Sequence, residues 1–370
     1  MLHTFFIADF YHHCNMCRMN APHNIYIHVP FCISKCKYCA FFSRACASPD
    51  WDLYAEKIIH EIKHWQNILG RISVPTIFFG GGTPSLLPTK IFAKIINAIR
   101  ENFNILPDAE ITIEANPKTL DSVRMREFCD AGVNRISIGV QSFDDEKLKF
   151  LGRAHSSDDA RRLIDVAMVT AKNVSADFIY GLPSDTAHDV IKTCNEINRI
   201  GLQHCSMYEL TIEPNTPFGK MNLEMPTNET MAEMYNAISK TLKLNRYEVS
   251  NYAADGAECR HNQNVWDGEP YIGIGDGAAG RILLDNVWYE EMGGGKLFEK
   301  LSDSHRAIER VITGMRTRRG VMIDETTKKI IDIEFAKSHP DMLEFKSDNR
   351  IRATSAGILV LDKIIERLVK

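Results

Sequence analysis

No apolar run in the 370 residues approaches the length of a membrane span, so the chain offers no candidate transmembrane segment. The opening stretch Thr4-Phe5-Phe6-Ile7-Ala8 is too short for the apolar core of a signal peptide, and Asp9 interrupts it. Excess positive charge is also missing. The net charge is −4, which excludes a broad polyanion-binding surface and with it nucleic acid as a main partner. Internal repeats and low-complexity tracts are absent. These absences predict a soluble, cytoplasmic protein, and the length predicts more than one domain.

What stands out is cysteine at one end. Six of the ten cysteines (Cys14, Cys17, Cys32, Cys36, Cys39 and Cys46) lie within the first 46 residues. In a long chain with no export signal, cysteines read as metal ligands or buried thiols rather than disulfides. Cys46, Cys129, Cys194, Cys205 and Cys259 read as ordinary thiols. Residues 1–23 read as an irregular extension, and Met16 or Met19 is an alternative start.

From about residue 24 to 245, short apolar runs alternate with helical periodicity. Strands are expected at Ile25–His28, Thr76–Phe79, Glu110–Glu114, Arg135–Gly139, Val174–Phe178 and His204–Leu210. Each is followed by a helical pattern; over 50–69, Ile58, Ile62, Trp65 and Leu69 mark one face. Six β-then-α units predict an α/β fold, an incomplete (β/α)6 TIM-like barrel that stays open, with functional residues at the C-terminal ends of its strands. Residues 246–296 show little periodicity and read as an irregular, substrate-side linker. From 297 to 370 a small helical, winged-helix-like domain is expected, with a strand at Ile351–Ala353 and a last helix carrying Ile358, Leu361, Ile365 and Leu368.

Cys32-x3-Cys36-x2-Cys39 directly follows the first expected strand. Thiolates suit iron–sulfur clusters and zinc. Three cysteines on one loop can hold three irons of a [4Fe–4S] cubane, leaving the fourth iron open to chelate the amino and carboxylate groups of S-adenosylmethionine (SAM). Tyr38 and Phe41 flank the ligands and are expected to shield such a cluster. Cys14-x2-Cys17 paired with Cys36-x2-Cys39 would instead make a four-cysteine zinc site, but that reading leaves Cys32 unused. Gly275-x-Gly277-x-x-Gly280 matches a dinucleotide fingerprint, yet Arg281–Trp288 reads as a hairpin around Asp285-Asn286. Without a helix N-terminus the phosphate has no dipole to sit on.

Tyr26-x-His28-Val29-Pro30-Phe31-Cys32-x3-Cys36-x-Tyr38-Cys39 resembles the radical-SAM group that contains oxygen-independent coproporphyrinogen III oxidase and the HemW-type heme chaperones. Phe79–Ser85, Glu114-x-Asn116-Pro117, Asn134–Phe143, Leu151-Gly152-Arg153-x-His155, Asp177–Pro183 and Cys259-Arg260-His261-Asn262 continue the likeness in order. The resemblance implies SAM contacts at Tyr26, Gly81, Gly82, Thr83, Glu114, Gln141, Arg153 and Asp177. Arg153 is expected to pair with the SAM carboxylate.

The group divides by function. Oxidase members have a further cysteine two residues after the third ligand, where this chain has Phe41. That resembles the chaperone branch, whose members bind heme and hand it to acceptor proteins. The expected function is therefore heme carriage, with three cofactors: [4Fe–4S] cluster, SAM and heme. Coproporphyrinogen oxidation, or a radical-SAM reaction on an unrelated substrate, are the alternatives. A flavodoxin- or ferredoxin-like electron donor and a homodimer are possible partners of such a protein. The chain departs from the branch at Ala40 (usually Asp), at Val265 (usually Tyr) and at Asp276–Gly280, where a histidine gives way to Ala279. His261 is then the leading candidate for the axial heme ligand, against the ordinary role of a buried histidine as a hydrogen-bonding structural residue.

Overall fold

A computed structural model describes residues 21–292 and 298–370. Cys14 and Cys17, and with them half of the zinc alternative, lie outside the described residues. Six parallel strands form the centre: β1 Asn24–Val29, β2 Ser73–Gly81, β3 Asn104–Ala115, β4 Arg135–Gln141, β5 Asn173–Tyr180 and β6 His204–Glu209. Between them run α1 Trp51–Leu69, α2 Thr89–Asn102, α3 Ser122–Ala131, α4 Asp145–Leu151, α5 Ser157–Thr170 and α6 Ala187–Ile200; α7 Asn228–Thr241 follows β6. Acidic and hydroxyl caps set several of the helix starts. Asp50 accepts from the amide of Leu53, Asp121 from Val123 and Arg124, and Ser156 forms a capping box with Asp159.

The strands alternate cleanly. Ile25, Ile27, Ile77, Phe79, Ile111, Ile113, Ile136, Ile138, Ala176 and Met207 point outward into one core shared with the helices. Their neighbours, among them Tyr26, Glu114, Ser137, Asp177 and Ser206, point inward. The barrel lumen is therefore polar, and period-two alternation in six successive strands builds it.

Residues 246–292, expected to be irregular apart from the hairpin around Asp285-Asn286, instead supply regular strands to both edges of this sheet. β7 Asn245–Arg246 and β8 Asn251–Ala253 pair antiparallel beyond β6. After α8 Arg260–Trp266 the chain crosses to the other edge, where β9 Tyr271–Ile274 pairs in parallel with β1. β10 Ala279–Leu284, β11 Val287–Met292 and β12 Phe298–Lys300 continue outward, antiparallel. The twelve-stranded order β12-β11-β10-β9-β1-β2-β3-β4-β5-β6-β8-β7 leaves its two ends unpaired with each other, an open sheet. Asp285 and Asn286 take φ of 51° and 60°, the conformation of a tight hairpin turn, so no helix follows the glycine fingerprint.

The C-terminal residues build a second core. α9 Asp303–Met315, α10 Thr327–Ile330, α11 Ile333–Ser338 and α12 Leu361–Leu368 surround a small sheet ordered β13 Val321–Met322, β15 Arg350–Ala353, β14 Leu343–Phe345. Val311, Met315, Ile331, Ile351, Leu361, Ile364 and Leu368 fill it.

Candidate functional site

The cysteine loop leaves β1 at its C-terminal end. Phe31-Cys32 pairs in parallel with Arg44-Ala45, which closes the loop on itself and brings Cys32, Cys36 and Cys39 over the strand ends. Cys32 is buried; burial pushes its thiol pKa up, with Thr83 and Ser43 acting in the opposite direction. The glycine run at the end of β2 makes room beneath it. A Cβ on Gly82 would lie 2.6 Å from the Phe31 carbonyl oxygen and 3.0 Å from Cys32 Sγ. Gly81 adopts φ +114°, and a Cβ there would strike the His28 ring at 2.5 Å.

A cavity of about 440 Å³ opens beside the loop, lined in part by Cys39, Thr83, Glu114, Asn116, Gln141 and Asp177. Glu114 Oε2 accepts from the Gly81 amide at 3.1 Å, and Thr83 Oγ1 accepts from Asn116 Nδ2 at 3.0 Å. Asp177 accepts from Ser137 Oγ at 3.2 Å. Gln141 closes β4 with φ +68°, a conformation that costs a non-glycine residue of order 1–3 kcal/mol and aims its side chain into the cavity. Both carboxyls line the lumen cavity. Burial first, then the charge of Asp177, pushes Glu114 up to about 8. Burial also raises Asp177, against the pull of Ser206, Arg135 and Ser137.

Four of the eight residues expected to touch SAM, Thr83, Glu114, Gln141 and Asp177, line this cavity, and Gly81 donates to Glu114 beside it. Asp177 sits inside β5 rather than at its end, because the strand continues to Tyr180. Tyr26 lies lower in the lumen, its hydroxyl 3.0 Å from His28 Nδ1. Arg153 follows α4, whose cap Gly152 is left-handed and turns the chain inward. Its guanidinium is already engaged: Nη1 reaches Cys36 Sγ at 3.3 Å, and Nη2 donates to Asn116 Oδ1 and to the Gly139 carbonyl. Arg153 thus braces the cluster loop against the strand ends. Phe41, expected to shield the ligands, is exposed and lines the cavity beside Cys39.

His261 sits apart from the cysteine loop. It is buried at the start of α8, its Nδ1 2.7 Å from Thr76 Oγ1 and its amide donating to Glu110 Oε1 at 3.0 Å. Its ring lies 5.1 Å from that of Phe78, and burial holds its pKa down to about 3. It faces a second lumen cavity of about 320 Å³ that shares Glu114, Ser137, Asp177 and Tyr208 with the first. Sequence reading missed Asn116, Ser137 and Tyr208 as lining residues. The alternation of polar residues along β3 to β6 is the signal that points to them.

The residues fit the implied cluster and SAM. Three thiols on one closed loop, a glycine floor that a single methyl group would obstruct, and an adjoining polar cavity suit a cubane with one open iron. Among the described residues no three His, Cys, Asp or Glu side chains are placed to hold a metal ion. A cubane takes one thiolate per iron, so its ligands spread more widely than those of one ion.

Fold and site together define a radical SAM protein, and the model of the Radical SAM superfamily matches residues 26–197. The heme chaperone HemW of Escherichia coli is 38% identical over 71% of each chain, and that of Lactococcus lactis is 30% identical over 95% of this chain and 98% of its own. The chain belongs to the HemW family. Its fold is also that of the radical SAM enzyme coproporphyrinogen III oxidase (HemN) from Escherichia coli, with a TM-score of 0.78 over 94% of this chain and 90% of the other at 19% identity. Among the described residues no helix is long and apolar enough to cross a membrane.

Proposed function

We propose that the chain binds a [4Fe–4S] cluster through Cys32, Cys36 and Cys39, binds SAM in the adjoining cavity, and carries heme to acceptor proteins. The observation that supports the cofactor reading is the shared cavity: Cys39 lines the same 440 Å³ space as Glu114, Gln141 and Asp177. When bound, the cluster supplies an open iron for chelation and an electron for the sulfonium.

The chain's own residues do the rest. Glu114 and Asp177 present acceptors to the ammonium and hydroxyl groups of the ligand. Gly81 and Gly82 keep the cluster loop close to the strand ends, and Arg153 holds Cys36 and Asn116 together. The heme part rests on what the related proteins are named for.

Anaerobic reconstitution followed by heme titration tests the reading. A Soret shift that saturates near one heme per chain is expected, with SAM binding dependent on an intact cluster. Absence of a saturable shift would remove the carrier reading. Turnover of coproporphyrinogen III by the same preparation would replace it with the oxidase.

A further inference from the structure

The seam between the barrel edge and the C-terminal core carries an imbalance of charge. Main-chain bonds fix the seam. The Arg318 amide donates to the Tyr247 carbonyl at 2.9 Å, and Glu248 and Thr317 form an antiparallel bridge. Arg352 Nη1 in turn donates to the Arg318 carbonyl at 3.0 Å. Arg246 on β7, Arg318 just after α9 and Arg352 on β15 therefore meet around one cavity of about 400 Å³. Among the described residues Glu344 is the one carboxylate in its lining, and it pairs with Arg352. Arg246 and Arg318 remain in excess.

The neighbouring arginines show that this excess is local. Arg316 has Asp362 at 3.8 Å, Arg319 has Asp267 at 2.6 Å and Arg350 has Asp348 at 3.6 Å. Arg318 stands between the first two and is exposed, with no carboxylate at ion-pair distance among the described residues. Arg246 is half-buried; its Nη1 is shut off from solvent and meets no hydrogen-bond partner among the described residues. Tyr235, beside that guanidinium, donates its own hydroxyl to the Val249 carbonyl at 3.2 Å. Like charges held together by main-chain bonds repel, and a buried donor without an acceptor is costly. A multivalent anion relieves both.

We propose that this cavity binds the phosphoryl group of a small phosphorylated ligand, held chiefly by Arg246 and Arg318. Guanidinium forks match the oxygens of a phosphoryl group, and the rest of the wall suits a charged group rather than an apolar body. Thr317, Thr354 and Ser355 supply hydroxyls, against Ala353 and Ile358 as apolar members. Thr354 and Ser355 also lead into the helical run 357–368, so the positive end of that run lies at the rim. A single concavity in a chain of net charge −4 fits a small phosphate ester rather than a nucleic-acid backbone. Occupancy ties β7 of the barrel edge to β15 of the C-terminal core, so the ligand fastens one core to the other. The site stands apart from the cluster, SAM and heme readings and does not depend on them.

Calorimetric titration of the full chain with inorganic pyrophosphate, at constant ionic strength, tests the site. A single saturable site is expected, together with a rise in melting temperature. Arg318→Ser and Arg246→Met are each expected to weaken binding by about tenfold or more. Arg319→Ser, whose guanidinium pairs with Asp267 instead, is expected to leave it unchanged. Arg318 is exposed, so its variant keeps the fold, which circular dichroism checks. No saturable binding by the wild type, or an equal loss in Arg319→Ser, would overturn the site. A single-stranded RNA that displaces pyrophosphate and loses its own binding in Arg318→Ser would overturn the small-ligand assignment.

Discussion

The guanidinium of Arg153 lies 3.3 Å from Sγ of Cys36, so a fixed positive charge touches one of the three thiols proposed to hold the cluster. A cation at that place stabilises the more negative, reduced state of a cluster. Arg153→Met is expected to move the midpoint potential of the reconstituted cluster to more negative values, and Arg153→Lys to restore part of the shift. A redox titration followed by electron paramagnetic resonance measures this. Equal potentials in wild type and Arg153→Met would show that the contact is purely mechanical.

Glu114 holds its proton to about pH 8 because burial and Asp177 oppose its ionisation. Between the ordinary value of 4.5 and 8 the folded state keeps a proton that the unfolded state has released. The stability contributed by this group therefore falls as pH rises through that window and levels off above it. Glu114→Gln removes the titration. Its melting temperature should exceed that of the ligand-free wild type by a margin that grows from about pH 5 to about pH 8, and its SAM affinity should drop. A pH-independent margin would contradict the assignment.

Gly82→Ala places a methyl group against the Phe31 carbonyl and Cys32 Sγ. The loop must move to admit it, while the outward-facing core of β2 is untouched. Iron and sulfide content after reconstitution should fall well below wild type, with the far-ultraviolet circular dichroism spectrum preserved. Full cluster incorporation would mean that the glycine floor is not needed.

His261→Ala removes one of the two partners of Thr76 Oγ1, whose hydroxyl keeps its bond to Asn24 Oδ1 at 2.7 Å. A cost of about 1 kcal/mol in chemical denaturation is expected from the buried hydrogen bond alone. A stability equal to that of wild type would show that the ring is not structural.

The cysteine loop, the six β/α units and the open sheet are legible in the amino-acid order because their causes are local. Three thiols within eight positions define a ligand set, and periods of two and of 3.6 declare strand and helix. Glu114, Gln141 and Asp177 could be grouped for the same reason, since successive parallel strands bring their ends to one mouth. Apart from the hairpin at Asp285-Asn286, the strands of residues 246–292 escaped because runs of three or four residues carry too few repeats to reveal a period.

Only the tertiary structure decided where that segment goes. β9 pairs with β1 across more than two hundred residues, and α8 plugs the barrel floor through Thr76 and Glu110. Those pairings turned His261 inward and set Gly277 against Phe42, while the left-handed Gly152 after α4 gave Arg153 to Cys36. Each depends on atoms brought together by folding from distant parts of the chain, and local periodicity does not encode such contacts.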